Sequence, residues 1–311
     1  ASNLRARLER AAGQIEAKPE AEFESPDGTR YGVGARQGSI GLLFPGQGSQ
    51  YVQMGADLAM NFAAARGAWD RAADLGLGLE RIVFPIPRFD DAAREADELA
   101  LRATQWAQPA IGCASASLLA MLGELGIEAS AVAGHSFGEV AALHAAGVLS
   151  EQDMLRVARR RGELMAEAGS LSQPGTMSAV VASEARVREL LAGLDEVVLA
   201  NLNAPNQSVI SGPTEAIAKA EQVLEQAGVQ VRRLPVASAF HSPVVSASAE
   251  PFTAFLTELS FAPARVPVYS GESAAPYESD AAAQRARLGR QIAEPVRFTQ
   301  MIEAMAAAGV H

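Results

Sequence analysis

The sequence predicts an α/β protein in which a large domain with a parallel sheet carries a small, inserted ferredoxin-like βαββαβ subdomain. Three observations predict it. Gly134-His135-Ser136-Phe137-Gly138 places a serine between two glycines, after the strand-like run 129–133 and before an Ala-rich helical run that opens at Glu139. Residues 39–44, Ser-Ile-Gly-Leu-Leu-Phe, read as a short buried strand that runs straight into the loop Pro45-Gly-Gln-Gly-Ser-Gln50. Between 175 and 236 the helix-rich pattern gives way to a compact alternation of short elements.

In chain order, the charged and amphipathic Leu4-Arg-Ala-Arg-Leu-Glu-Arg10 predicts a helix within an N-terminal linker region, residues 1–37. The polar stretch 16–37, with Pro19 and Pro26-Asp27-Gly28, reads either as a structured linker or as a disordered tether. The large domain takes 38–174 and 237–311, and the small one 175–236. Inside the latter, strands are expected at 177–182, 196–200, 207–211 and 229–236, with helices at 184–191 and 215–227.

The elbow is the chemical centre of this reading. A serine hydroxyl is a weak nucleophile unless a sharp turn exposes it and a base serves it, and the Gly-x-Ser-x-Gly turn supplies the exposure. It gives the large domain a hydrolase-like character, against the alternative of a chance Gly-Ser-Gly turn. The loop 45–50 could complete an oxyanion hole or be a plain turn; a phosphate loop is rejected because the Gly-Lys-Ser/Thr ending is missing. Four histidines are available as the base. His135 lies within the elbow pointing away from the serine, His144 falls mid-helix and His311 is the last residue, which leaves His241 before Ser242-Pro243. In the helix 151–168, Met154, Val157, Ala158, Arg161, Leu164 and Met165 recur at three and four, so Arg161 faces inward and needs an anionic partner. A structural carboxylate is one candidate for that partner.

A chain of 311 residues with 49% apolar content can bury a substantial core. Its net charge of −10 argues against nucleic acid and anionic membranes as partners. No apolar run approaches the roughly 18 residues of a membrane span, and no signal peptide opens the sequence. The single cysteine, Cys113, excludes an internal disulfide, suits a reducing cytoplasm and reads as core packing.

Pro45-Gly-Gln-Gly-Ser-Gln50, Gln108-Pro-Ala-Ile, Gly134-His-Ser-Phe-Gly-Glu139, Arg161-Gly-Glu-Leu-Met, Asn201-Leu-Asn-Ala-Pro, Val209-Ile-Ser-Gly and Ala239-Phe-His-Ser-Pro follow one another in an order that resembles the malonyl-CoA:acyl-carrier-protein transacylases. Over residues 38–310 the chain is similar to the acyltransferase domain of a polyketide or polyunsaturated-fatty-acid synthase, possible iterative types included. The resemblance implies transfer of malonyl from malonyl-CoA, through Ser136, to the phosphopantetheine thiol of an acyl carrier protein, with His241 as base. It implies an oxyanion hole from the backbone N–H groups of Gln47 and Phe137, and a grip of Arg161 on the malonyl carboxylate. It further implies selectivity for malonyl from the bulky Phe240, and a backbone carbonyl near Gln291 that orients the imidazole in place of an acid. Ser238 departs from the histidine common in modular malonyl-specific domains, which leaves exclusion of methylmalonyl less strict. No permanently bound cofactor and no metal are expected; the partners expected are the carrier protein and flanking domains such as a ketosynthase. The family usually continues past 306–311 into another short strand and a glycine turn, so the ends read as those of an excised domain. Docking to the carrier points to Arg159 and Arg160, or Arg232 and Arg233, unless these merely solvate the surface.

Two other classes compete. A serine hydrolase of the α/β-hydrolase or patatin-like kind would share the elbow, the former with an acid between 136 and 241 in the order Ser…Asp/Glu…His, whereas a non-catalytic docking module would form no acyl-serine.

Overall fold

A computed structural model describes residues 2–34, 39–171, 175–236 and 238–310. The chain divides after Gly38 into two compact units. In the first, helix α1 (Ser2–Ala17) precedes an antiparallel pair, β1 (Phe23–Glu24) and β2 (Arg30–Tyr31). The turn between these strands closes around Asp27, whose carboxylate accepts from Ser25 and Thr29 hydroxyls and from Arg10, and is held well below the usual carboxylate range by those bonds. This hairpin falls within the stretch 16–37 read as linker or tether, of which residues 35–37 lie outside the described residues.

The second unit begins with β3 (Gly41–Phe44) and a helical excursion through α2 (Ala56–Asn61), α3 (Ala63–Asp74), α4 (Leu79–Val83), α5 (Asp91–Arg102) and the long α6 (Thr104–Glu124). The chain returns as β4 (Ala131–Gly134), turns into α7 (Gly138–Ala145) and continues as α8 (Glu151–Leu171). Then follow β5 (Gly175–Val180), α9 (Glu184–Leu190), β6 (Val198–Ala204), β7 (Gln207–Pro213), α10 (Thr214–Gln226) and β8 (Val231–Arg233). A 3-10 turn at Pro243–Ser248, α11 (Ala249–Thr257), β9 (Val268–Tyr269), α12 (Ala281–Arg290) and α13 (Phe298–Ala307) complete it.

This second unit is α/β, with two sheets among its described residues. One is parallel, in the order β3-β4-β9, and pairs Phe44 with Gly134 and Val132 with Val268. Side chains alternate across a strand, so Val132 enters a large core under α3, α6, α7 and α8. Ala131, Ala133 and Tyr269 instead meet Met301 and Met305 of α13 on the other face. The second sheet is antiparallel, in the order β6-β7-β5-β8, with Val187, Ile217, Ala220 and Leu224 of α9 and α10 packed on it. This is the βαββαβ pattern with its first and third strands central. β8 is shorter than the expected 229–236, because Pro235 has no N–H for the ladder. β6 runs past 200, through two irregularities in its pairing, as far as Ala204.

Helices α6 and α8 are in unusually close approach. A Cβ on Gly162 would stand 2.5 Å from the Thr104 carbonyl oxygen. Pro109 inside α6 lacks the N–H that would pair the Gln105 carbonyl, and Arg159 of α8 takes that oxygen at 3.3 Å while its guanidinium lies 4.3 Å from the Trp106 ring centre. Among the described residues no helix is long and apolar enough to cross a membrane.

Candidate active site

β4 delivers the chain to Ser136, which adopts φ 51°, a left-handed conformation that a non-glycine residue holds only under constraint. The glycines on either side provide the constraint. A Cβ on Gly134 would fall 1.9 Å from the Gly138 carbonyl carbon, and one on Gly138 would fall 2.0 Å from the Phe44 carbonyl oxygen. The Ser136 hydroxyl meets His241 Nε2 at 2.7 Å, from a residue 105 positions later that is itself left-handed at φ 54°. His241 Nδ1 lies 2.9 Å from the Glu294 carbonyl, which can only accept, so Nδ1 carries the proton and Nε2 offers its lone pair to the serine. Burial lowers the His241 pKa to about 3, with the Arg161 charge and His135 adding to the effect. The imidazole is neutral at physiological pH and poised as a base.

Arg161 of α8 is buried beside this pair. Its Nη1 donates to Gln108 Oε1 at 3.1 Å, and its Nη2 to Gln291 Oε1 at 3.0 Å and to Ser136 Oγ at 3.4 Å. Its Nε is buried without a hydrogen-bond partner among the described residues. Burial lowers the guanidinium pKa to about 10, countered by the charge of Glu139, so it remains a cation. No carboxylate forms a salt bridge with it among the described residues.

The loop at 45–50 lies against the elbow, since His135 N–H donates to the Phe44 carbonyl at 2.9 Å. The backbone N–H groups of Gln47 and Phe137 take no acceptor among the backbone bonds of these turns, while the Gln47 side chain links Thr104 and Gln108. Phe240 is buried in the large core next to the base, its carbonyl accepting from the Ser211 hydroxyl at 2.7 Å. The buried Ser238 hydroxyl has no hydrogen-bond partner among the described residues. A separate apolar groove lined by β3, α2 and α6 includes none of these side chains. No group of acidic, histidine and cysteine side chains suited to a metal occurs among the described residues.

Residues 42–311 match the acyl transferase domain family model. The chain belongs to the acyl transferase family. This acyl transferase domain is 36% identical over 279 residues to the malonyl CoA-acyl carrier protein transacylase of Bacillus subtilis (strain 168), covering 87% of this chain and 84% of that one. It is 35% identical over 281 residues to polyketide synthase GfsA of Streptomyces halstedii, covering 88% of this chain but 4% of that protein. Among solved structures, the acyltransferase domain from the second module of the salinomycin polyketide synthase superposes with a TM-score of 0.81 at 33% identity, covering 96% of this chain and 67% of that one. A type II polyketide synthase acyl-carrier protein in complex with its malonyl-transacylase gives 0.79 at 31% identity, with 88% and 86% covered.

Within the acyl transferase domain, Ser136, His241 and Arg161, chosen from sequence, converge on one point. The carbonyl that holds the imidazole needs correcting. The hydrogen bond goes to Glu294, three residues past Gln291, and the Gln291 carbonyl is a smaller influence on the ring. The Gln291 side chain is occupied otherwise, its Nε2 donating to the Ser136 carbonyl at 2.8 Å. His144 stands in the last turn of α7 rather than mid-helix, bonded to the Leu149 carbonyl, and His311 lies outside the described residues. His135 faces Asn203 of β6 at 2.8 Å. Glu139, whose place in the first turn of α7 favours an acid through the helix dipole, is fully buried: it accepts from Gly271 N–H at 2.9 Å and from the Tyr277 hydroxyl. Burial raises its carboxyl pKa above the ordinary value. Nothing in the local pattern distinguishes Glu139 from a solvated helix-start acid, because its partners come from a segment more than 130 residues away.

Proposed function

We propose that this domain transfers malonyl from malonyl-CoA to the phosphopantetheine thiol of an acyl carrier protein through a malonyl-Ser136 intermediate. The observation that carries the reading is Arg161, a buried cation with a free Nε and no carboxylate of its own, set 3.4 Å from the nucleophile. An esterase has little use for such a group, whereas an acyl chain ending in a carboxylate completes it.

In the first half-reaction His241 Nε2 takes the Ser136 proton as Oγ bonds to the thioester carbon. The Gln47 and Phe137 N–H groups receive the oxyanion, and collapse breaks the C–S bond as the imidazolium returns its proton to the CoA sulfur. In the second, His241 takes the proton of the carrier's thiol as its sulfur bonds to the ester carbon, and collapse breaks the C–O bond as the imidazolium returns that proton to Ser136 Oγ. The Glu294 carbonyl orients the ring throughout, and no third acid is needed. Phe240 favours an unbranched acyl group, with Ser238 leaving the exclusion of methylmalonyl less strict. The reaction needs no resident cofactor, since CoA arrives with the substrate and phosphopantetheine with the partner.

The chain spans 4% of GfsA and 22% of the Burkholderia thailandensis polyketide biosynthesis protein ThaF, and a cytoplasmic synthase with flanking domains such as a ketosynthase is the setting we propose. Arg159, Arg160 and Arg233 already hold intramolecular pairs with Glu163, Glu167 and Glu221, which makes Arg232 the freer contact for an acidic carrier among the four candidates. The test is intact mass after mixing with malonyl-CoA, followed by decay of the isolated adduct with and without holo carrier protein. Transfer to the carrier faster than to water is expected; equal hydrolysis in both, with an unloaded carrier, refutes the transferase reading in favour of a hydrolase.

A further inference from the structure

Arg161 has no carboxylate within hydrogen-bond reach, yet a fully buried acid stands across one side chain from it. The Gln291 amide lies between the two. Its Oε1 accepts from Arg161 Nη2 at 3.0 Å, and its Nε2 donates to the Ser136 carbonyl at 2.8 Å while facing Glu139 Oε2 at 3.4 Å. Only this orientation satisfies all three neighbours. Turned over, the amide would set N–H donors against a guanidinium that cannot accept, and an oxygen against a carbonyl and a carboxylate that cannot donate. Glu139 is fixed in turn by two donors, the Gly271 N–H and the Tyr277 hydroxyl. It also belongs to the first turn of α7, three residues past the nucleophile, so the acid and Ser136 move as one piece.

We propose that Glu139 is a positioning residue for Arg161: through the Gln291 amide its carboxylate fixes the guanidinium beside Ser136, and so sets the preference for acyl groups that carry a carboxylate. This rests on the reading of Arg161 as the partner of the malonyl carboxylate. In a dry interior the alignment of cation, amide dipole and anion is strong, because little solvent competes for any of the three. An acid that served only packing would affect folding but would treat charged and uncharged acyl groups alike. An acid that holds Arg161 in place affects only the substrate that uses Arg161.

The experiment compares acyl-enzyme formation from malonyl-CoA and acetyl-CoA in the wild type, Glu139→Gln, Arg161→Ala and the double variant. Glu139→Gln keeps the size and an acceptor for Gly271 while removing the charge. The expected result is a fall of about tenfold in the malonyl-to-acetyl ratio of kcat/KM, with no further change when the substitution is added to Arg161→Ala. An unchanged or increased ratio overturns the proposal, as does an equal fall in the Arg161→Ala background. A wild type without preference for malonyl would instead refute the reading of Arg161 itself. Should Glu139→Gln fail to fold, Tyr277→Phe removes one of the two donors that aim the carboxylate. A smaller fall in the same ratio is expected, and none overturns the proposal.

Discussion

Replacing Arg161 with alanine is expected to convert a malonyl-selective site into one that favours uncharged acyl groups. The guanidinium spends Nη1 on Gln108 and shares Nη2 between Gln291 and Ser136, which leaves Nε and the remaining N–H groups for a carboxylate. A hydrogen bond to a charged group contributes about 1.5–3 kcal/mol, so loss of the pair lowers kcat/KM for malonyl-CoA by roughly 10- to 150-fold. Acetyl-CoA has no carboxylate to lose, and the vacated volume lies beside its carbonyl. Truncation also strips a donor from Gln108 and Gln291, at about 1–3 kcal/mol each where water does not replace it, so the melting temperature falls. That loss is common to both substrates and cancels in their ratio. The assay is competition between equimolar malonyl-CoA and acetyl-CoA, read as the two acyl-enzyme masses at early times. An unchanged ratio would refute the reasoning and reduce Arg161 to a brace for two glutamines.

Ser136→Ala should give no acyl adduct with malonyl-CoA. Ser136→Gly, equally inactive, should be more stable than the alanine variant by about 1 kcal/mol, because glycine relieves the left-handed φ; equal denaturation midpoints would argue against strain at the elbow. Gly162→Ala should destabilise by about 1–3 kcal/mol, since its Cβ would meet the Thr104 carbonyl, and should weaken malonyl selectivity by moving Arg161 off Gln108. Burial lowers the pKa values of His241, His135 and His144 below the ordinary 6.5. Below that pH the unfolded chain binds more protons than the folded one, so stability is full above pH 6.5 and declines as pH falls toward the folded value, about 3 for His241; the raised carboxyl of Glu139 opposes this only in part. A melting temperature that stays flat between pH 7 and pH 5 would contradict it.

The parts of the site written in local pattern were legible. Gly134 and Gly138 mark the elbow because no other residue fits there, and Arg161 stands out as a cation on an apolar helical stripe. Periodicity likewise located the six elements of the small sheet, missing mainly where Pro235 cuts the last strand short. What escaped the sequence was the identity of partners drawn from distant segments. Glu294 rather than Gln291 holds the imidazole because a few ångströms of loop geometry decide which carbonyl reaches Nδ1, and no spacing rule records that. The burial of Glu139 is not written in its helix-start position, because Tyr277 and Gly271 come to it only once β9 has paired with β4.

The pairing of Phe44 with Gly134 makes the separation of the Gln47 and Phe137 N–H groups a property of the sheet, because each follows within three residues of that rung. Arg161 and Gln108 are mounted on the α6–α8 pair, and His241 arrives on a third segment beyond the small sheet. Three separate supports thus meet at Ser136, and the Gln291 amide ties Arg161 to the elbow. A shift in the packing of α6 on α8 can therefore move Arg161 while the paired strands hold the Ser136 turn in place.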